Sequence, residues 1–164
     1  TDREDEGEDL VEALAERIDR LKVAVKDAPR PRVAAIEWFD PVFTAGHWTP
    51  QLVELAGGED VLGHPGEPSE QTTWEVVAAA QPEVVLAIPC GYRAARSREE
   101  AERFAEQLAG TGAARVIALD ASGSFSRPGP RLVDGLETLA HALHPDLVPE
   151  TPGEVLEVAV PARR

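Results

Sequence analysis

Residues 115–145 read RVIALDASGSFSRPGPRLVDGLETLAHALHP, and this stretch decides the fold. Val116, Ile117 and Leu119 form a short apolar run of strand length, rich in β-branched residues. A loop of Gly, Ser and Pro follows. Out of it rises a segment with Leu132, Leu136, Leu139 and Leu143 at helical spacing. A strand that opens into a rigid, aromatic-bearing loop at the start of a helix is where open α/β sheets hold ligands. Phe125 and Arg127 stand in that loop, with Pro128 and Pro130 restraining its backbone.

Two further strand ends have the same character. The run 33–37 opens into Trp38-Phe39-Asp40-Pro41-Val42-Phe43-Thr44-Ala45-Gly46-His47-Trp48, and the run 84–88 into Pro89-Cys90-Gly91-Tyr92. Three of the four Phe, two of the three Trp and the only Tyr therefore fall in strand-end loops rather than along strands and helices. One such residue alone can simply cap a core. As a set, Trp38, Phe43, His47, Trp48, Tyr92, Phe125 and Arg127 read as a wall for a large, flat, partly apolar ligand, because aromatic faces give much contact area at little entropic cost.

Outward from these loops the order is regular. In residues 8–27, Leu10, Leu14, Ile18, Leu21 and Val25 make one apolar stripe on a long helix with charged remaining faces, the first seven residues being acidic and expected to fray. Pro29 and Pro31 end it. Thr49, with Pro50 after it, predicts an N-cap for a helix over 51–56 that stops at Gly57-Gly58. Residues 59–72 are polar and rich in Gly and Pro. Thr73 predicts a helix over 74–80, closed by Gln81-Pro82, and Ser97 predicts the cap of a helix reaching about residue 109. Alternating strands and helices imply an α/β fold with a short parallel sheet, a three-layer Rossmann-like lobe behind a long leading helix. The expected divisions are 1–31 for the acidic start and long helix, 32–148 for the lobe and 149–164 for a tail. Within that tail, residues 155–160 are either a small edge strand or loose. No internal repeat is present.

With 164 residues the chain is one domain able to bury a substantial core. Its 30 acids against 16 bases give a net charge of -14, a surface that repels phosphate backbones and argues against nucleic acid. Cys90 is alone, so no internal disulfide forms. No apolar run approaches the ~20 residues of a membrane span, and no signal-peptide pattern is present in these residues.

The segments WFDPVFTAGHWTPQLVELAGG, TTWEVVAAAQPEVVLAIPCGY and SFSRPGPRLVDGLETLAHALHP, in that order, resemble the C-terminal lobe of class III substrate-binding proteins of ABC importers. PCGY and SRPGPR most resemble the cobalamin-binding branch. The resemblance covers roughly residues 8–146. It implies two α/β lobes joined by one long helix, here 8–27, with the ligand between them and an N-terminal lobe upstream. It further implies an extracytoplasmic place of work, a cobalamin-like ligand, no resident cofactor or metal, and no catalysis. The partner is a membrane permease, with any other hold on the membrane through an upstream lipid anchor. Ferric siderophores and haem are the alternative ligands. Carried over motif by motif, Phe43 and Phe125 are the positions expected to touch ligand. Arg127 either donates to carboxamide or phosphate groups or bridges a carbonyl in its own turn. Glu75, seven residues before Pro82, resembles the glutamate that meets permease arginines. Its plainer reading is a carboxylate favoured by the start of its helix.

Other chemistries have thinner support. His47 suits a metal centre by residue type, but no second histidine stands near it, and His64 lies in the polar segment. Cys90, before a glycine near a helix start, raises a cysteine hydrolase or transferase as the rival class. No Cys/His or Ser/His/Asp spacing accompanies it, and Pro89 and Gly91 have a sufficient backbone role in the turn. Gly110 and Gly112 do not complete a dinucleotide fingerprint.

Overall fold

Strict alternation along three apolar strands organises the molecule, a computed structural model that describes residues 2–161, with side chains from residue 5 onward. The elements in order are α1 (Asp2–Val25), β1 (Arg32–Phe39), β2 (Val42–Thr44), α2 (Thr49–Leu55), β3 (Glu59–Asp60), β4 (Glu70–Gln71) and α3 (Trp74–Ala79). There follow β5 (Val84–Ala87), α4 (Ala94–Arg103), α5 (Ala105–Thr111), β6 (Arg115–Leu119), α6 (Ala121–Ser124), α7 (Arg131–Leu143) and β7 (Val155–Glu157).

β1, β5 and β6 pair in parallel, with Ala35 opposite Leu86 and Leu86 opposite Ile117. Val33, Ala35, Leu86, Ile117 and Leu119 point to one face, where they meet Leu21 of α1, Val53 of α2 and Leu136 and Leu139 of α7. Their neighbours Ala34, Ile36, Val85, Ala87, Val116 and Ala118 point to the other, against Val77 of α3, Ala101 of α4 and Leu108 of α5. Period two thus feeds two cores from one sheet, giving three layers. Ile36, Leu86 and Ile117 are fully buried, each worth about 1.5–3 kcal/mol of transfer.

The sheet is larger than the expected short parallel one. Its order is β4-β2-β1-β5-β6-β7, with β3 beside the start of β1, and β2, β4 and β7 run antiparallel to their neighbours. The segment read as a loop from Trp38 onward is a hairpin, because β1 continues to Phe39 and β2 folds back along it after a cis Asp40–Pro41 turn. The polar segment 59–72 contributes β3 and β4. Of the two alternatives for residues 155–160, Val155–Glu157 form an edge strand on β6.

Four local expectations change. α1 already starts at Asp2, so the acidic residues after it are helical. Thr49 is the first residue of α2 and Trp48 occupies the cap position without a side-chain bond. Ser97 lies fully buried inside α4, which begins three residues before it. The helix expected to reach about residue 109 breaks at Phe104, whose ring stacks on Phe39 at 5.3 Å and on Trp74 at 6.3 Å. By contrast Thr73 does cap α3, accepting from the Val76 N–H.

α1 is packed over only part of its length. Leu21 and Val25 are buried and Ile18 packs partly against the core, whereas Leu10 is 48% exposed and Val11 67%. Arg17 pins the packed part: it donates to Asp134 and Glu137 of α7.

Candidate functional site

The C-terminal ends of β1, β5 and β6 present their loops side by side, and hydrogen bonds fasten each to the next. The Cys90 N–H donates to the Glu37 carbonyl at 3.1 Å, and the Ser122 N–H to the Tyr92 carbonyl at 2.9 Å. The Gly91 N–H reaches the Ser126 hydroxyl at 3.1 Å. From the first loop to the third, Trp48 Nε1–H donates to the Phe125 carbonyl at 2.8 Å. Asp120 caps α6 by accepting from the Gly123 N–H. Bonds of this kind hold a surface in shape before any ligand arrives.

Between the loops lies a cleft of about 250 Å³, lined among others by Glu37, His47, Trp48, Cys90, Phe125 and Ser126. Ligand pockets usually enclose ~300–1,000 Å³, so this cleft is smaller than most. His47 is exposed, has a φ of 57°, and lies with its ring 5.7 Å from that of Trp48. The segment behind holds it: the His47 N–H donates to the Glu67 carbonyl and the Gly66 N–H to that of His47. Gly46 is needed there, since a Cβ on it would sit 2.3 Å from the Ser69 nitrogen.

A shoulder of the cleft carries a second group. Trp38, 39% exposed, meets the edge of Tyr92 at 5.8 Å, and the Arg96 guanidinium lies 4.4 Å over the Tyr92 ring, a cation–π contact. Phe43 pairs with Trp38 across the hairpin and is half-buried; it stands beside Trp38 rather than on the cleft lining.

Phe125 differs from expectation. The residue is 5% exposed and belongs to the core with Leu136, its ring next to Gly135, while Phe125 also counts among the residues lining the cleft. Arg127 is exposed and forms no bridge to a carbonyl of its own turn. Cys90 is exposed on the turn, and α4 begins only at Ala94 behind an Arg93 N-cap, so the thiol is not seated on the helix end. Among the described residues no group of three or more His, Cys, Asp and Glu is arranged for a metal ion. Glu75 lies outside the cleft, exposed in the first turn of α3. Its own N–H and the Thr73 hydroxyl hold its carboxyl below the usual range.

Glu37, Ser126 and Arg96 are cleft and shoulder residues that the pattern of aromatics did not single out. Arg96 had no helical signal, since Tyr92 stands in the turn before α4 and the helix spacing rule does not reach it. Glu37 had only its position as a charge closing an apolar strand.

The family described as periplasmic binding protein matches residues 1–118. This chain belongs to that family. Three solved structures share the fold. The ABC-type Fe3+-hydroxamate transport protein of Saccharomonospora viridis is 21% identical over 88% of this chain and 51% of its own, with a TM-score of 0.67. A periplasmic heme binding protein of Pseudomonas aeruginosa is 23% identical over 93% of this chain and 56% of its own, with a TM-score of 0.65. The periplasmic vitamin B12 binding protein of Vibrio cholerae is 22% identical over 77% and 49%, with a TM-score of 0.62. This periplasmic binding protein chain therefore spans about half the length of those proteins. No curated protein sequence matches it significantly. The family is extracytoplasmic and serves transport rather than catalysis, so Cys90 has no enzymatic setting here. Among the described residues no helix is long and apolar enough to cross a membrane.

Proposed function

We propose that this chain is the C-terminal lobe of a two-lobe binding protein that captures a cobalamin-like ligand and hands it to the permease of an ABC importer. The observation that carries the reading is the cleft at the strand ends: three loops bonded into one preformed aromatic wall around a floor of about 250 Å³. A large flat chelate laid on Trp38, Trp48 and Tyr92, with Phe43, His47 and Arg127 around it, is desolvated on one face by this lobe. A facing lobe would desolvate the other. α1 fits the connector between them, since its packed half sits on α2 and α7 while Leu10 and Val11 are left for a neighbour. Glu75, exposed and ionised, is the proposed contact to permease arginines.

A half-cleft leaves much of a large ligand hydrated while the cost of immobilising it remains. Calorimetry and visible absorbance of this chain with cyanocobalamin, haemin and a ferric hydroxamate, beside the protein carrying both lobes, test the reading. Weak binding by the chain alone and tight binding of one chelate by the two-lobe protein are expected. Equal, tight affinity in both would overturn the two-lobe architecture, and a preference for haemin or the hydroxamate would replace cobalamin as the ligand.

A further inference from the structure

Strand β1 breaks its own alternation at Glu37. Ala34 and Ile36 face one core and so does Phe39, although strict period two would send Phe39 to the other side. The register against β2 accounts for this. Ile36 pairs with Thr44 and Trp38 with Phe43, so Glu37 is an extra residue without a partner on β2. Two consecutive side chains, Glu37 and Trp38, therefore share the opposite face, the one whose core residues Ile88 and Phe125 line the aromatic cleft. Bulges re-aim side chains in this way. The Cys90 N–H, bonded to the Glu37 carbonyl, ties the extra residue to the loop after β5.

Glu37 is half-buried and lines the cleft beside His47 and Trp48. That lining holds no other carboxylate and no Lys or Arg. Among the described residues no hydrogen bond or ion pair engages the Glu37 carboxyl. Donors close to the cleft are committed elsewhere: Trp48 Nε1–H serves the Phe125 carbonyl, and the Arg96 guanidinium lies over the Tyr92 ring. The carboxylate is thus left to water. A ligand that covers the cleft strips this water, and a carboxylate desolvated without a donor or counter-charge is costly. A ligand carboxylate set there would add repulsion, whereas a ligand N–H would gain a charge-assisted hydrogen bond.

We propose that Glu37 is a specificity-determining residue that selects ligands presenting N–H donors, as carboxamide or ammonium groups, to the cleft and disfavours those presenting carboxylates. The inference rests on the proposed function, since it takes the flat ligand of the aromatic cleft as the carrier of the donor. It narrows that reading to chelates with amide or amine groups on their periphery.

The test uses the protein carrying both lobes, read by visible absorbance and calorimetry at low and raised salt. Cyanocobalamin is set against its three monocarboxylic acids, each with one peripheral propionamide hydrolysed. Haemin, with its carboxylates, is set against its diamide. Ferrioxamine B, with a pendent ammonium, is set against its N-acetyl derivative. In the series whose chelate binds, the better donor should bind about tenfold or more tighter than at least one mate, with raised salt eroding the difference. Glu37→Gln keeps the size of the side chain and should close most of that gap. The unfolding temperature should stay at the parent's value, because the carboxyl has no partner in the fold. Tight binding without preference, a preference for the carboxylate member, or a Glu37→Gln protein that keeps the full preference would overturn the role of Glu37 while leaving the flat-chelate reading intact. If no probe binds, that reading fails, and the role of Glu37 with it.

Discussion

Arg17 and Glu137 are joined by two parallel hydrogen bonds, Nε to Oε1 at 2.9 Å and Nη2 to Oε2 at 2.7 Å, which lock α1 onto α7. The same guanidinium also reaches Asp134 at 2.6 Å, and these partners hold it firmly in its charged form. The side chains are about a quarter exposed, so solvent screens part of the attraction. Arg17→Met should cost on the order of 1 kcal/mol and lower the unfolding temperature by about 2–4 °C, with a smaller loss at high salt. Thermal unfolding at two ionic strengths measures this. An unchanged midpoint at low salt would mean that apolar packing alone seats the helix.

Phe125 and Phe43 should separate sharply on truncation. A buried phenylalanine removed from a core costs about 3–5 kcal/mol, and Phe125 is such a residue. Phe43 is only half-buried, so Phe43→Ala should cost clearly less and act mainly on ligand affinity. Denaturant titration of the two variants gives the comparison; a Phe125→Ala protein as stable as the parent would return that ring to the ligand wall.

Trp48→Phe keeps a large ring but removes the N–H that meets the Phe125 carbonyl. The loss should be about 1 kcal/mol, with the carbonyl left to find water. Loosening should concentrate in the loop after β6, so amide exchange there should rise while the strands stay protected. Uniform exchange in parent and variant would show that this bond does not stiffen the wall.

Asp60 responds to pH with an unusual sign. Burial pushes its carboxyl up, with Glu54 adding to the push, against the pull of the Gly63 and Leu62 N–H groups, from which it accepts, and of His64. One of its oxygens, Oδ2, is buried without a hydrogen-bond partner. A folded-state pKa above the unfolded value of ~3.9 means the fold favours the proton. The cost of ionising Asp60 is absent below the unfolded pKa, grows as pH rises through that value, and is complete above the folded pKa. Asp60→Asn keeps the acceptor oxygen and should raise the unfolding temperature at pH 7 but not near pH 3. A gain at both pH values, or at neither, would show that the unpaired oxygen carries no such cost.

Glu75→Ala and Glu75→Lys should leave ligand affinity and unfolding temperature close to the parent's, because the side chain is exposed. Complex formation with the permease should weaken with alanine and more with lysine, most clearly at low salt, as charge steering acts on encounter. A lysine variant that docks as well as the parent would reduce Glu75 to a helix-start carboxylate.

What could be read from the residues follows the strength of local signals. Apolar runs bounded by Pro and Gly disclosed the three parallel strands, and the spacing of Leu132, Leu136, Leu139 and Leu143 disclosed α7. The short edge strands had no such signal, since Glu59–Asp60 and Glu70–Gln71 are polar pairs that become strands only by lying beside β1 and β2. In the sequence Phe39 groups with the loop aromatics, because nothing local tells a ring on a hairpin from one under a sheet. Phe104 and Trp74, distant in sequence, are what bury it. For the proposed site, composition marked loops that the fold brings side by side, but not which residue in each faces outward. Phe125 and Arg127, two positions apart, end on opposite sides of that division.

The short strands at the margins of the sheet also decide what the lobe can do when alone. β4 offers two residues and β7 three, and Glu70 and Glu157 place charges there, the latter held by Arg115. An incoming chain would gain only a few ladder bonds at either margin and would meet carboxylates along the way. Strand addition between copies is therefore disfavoured even while the aromatic cleft is uncovered, which protects the lobe from aggregation during folding and before it meets its ligand.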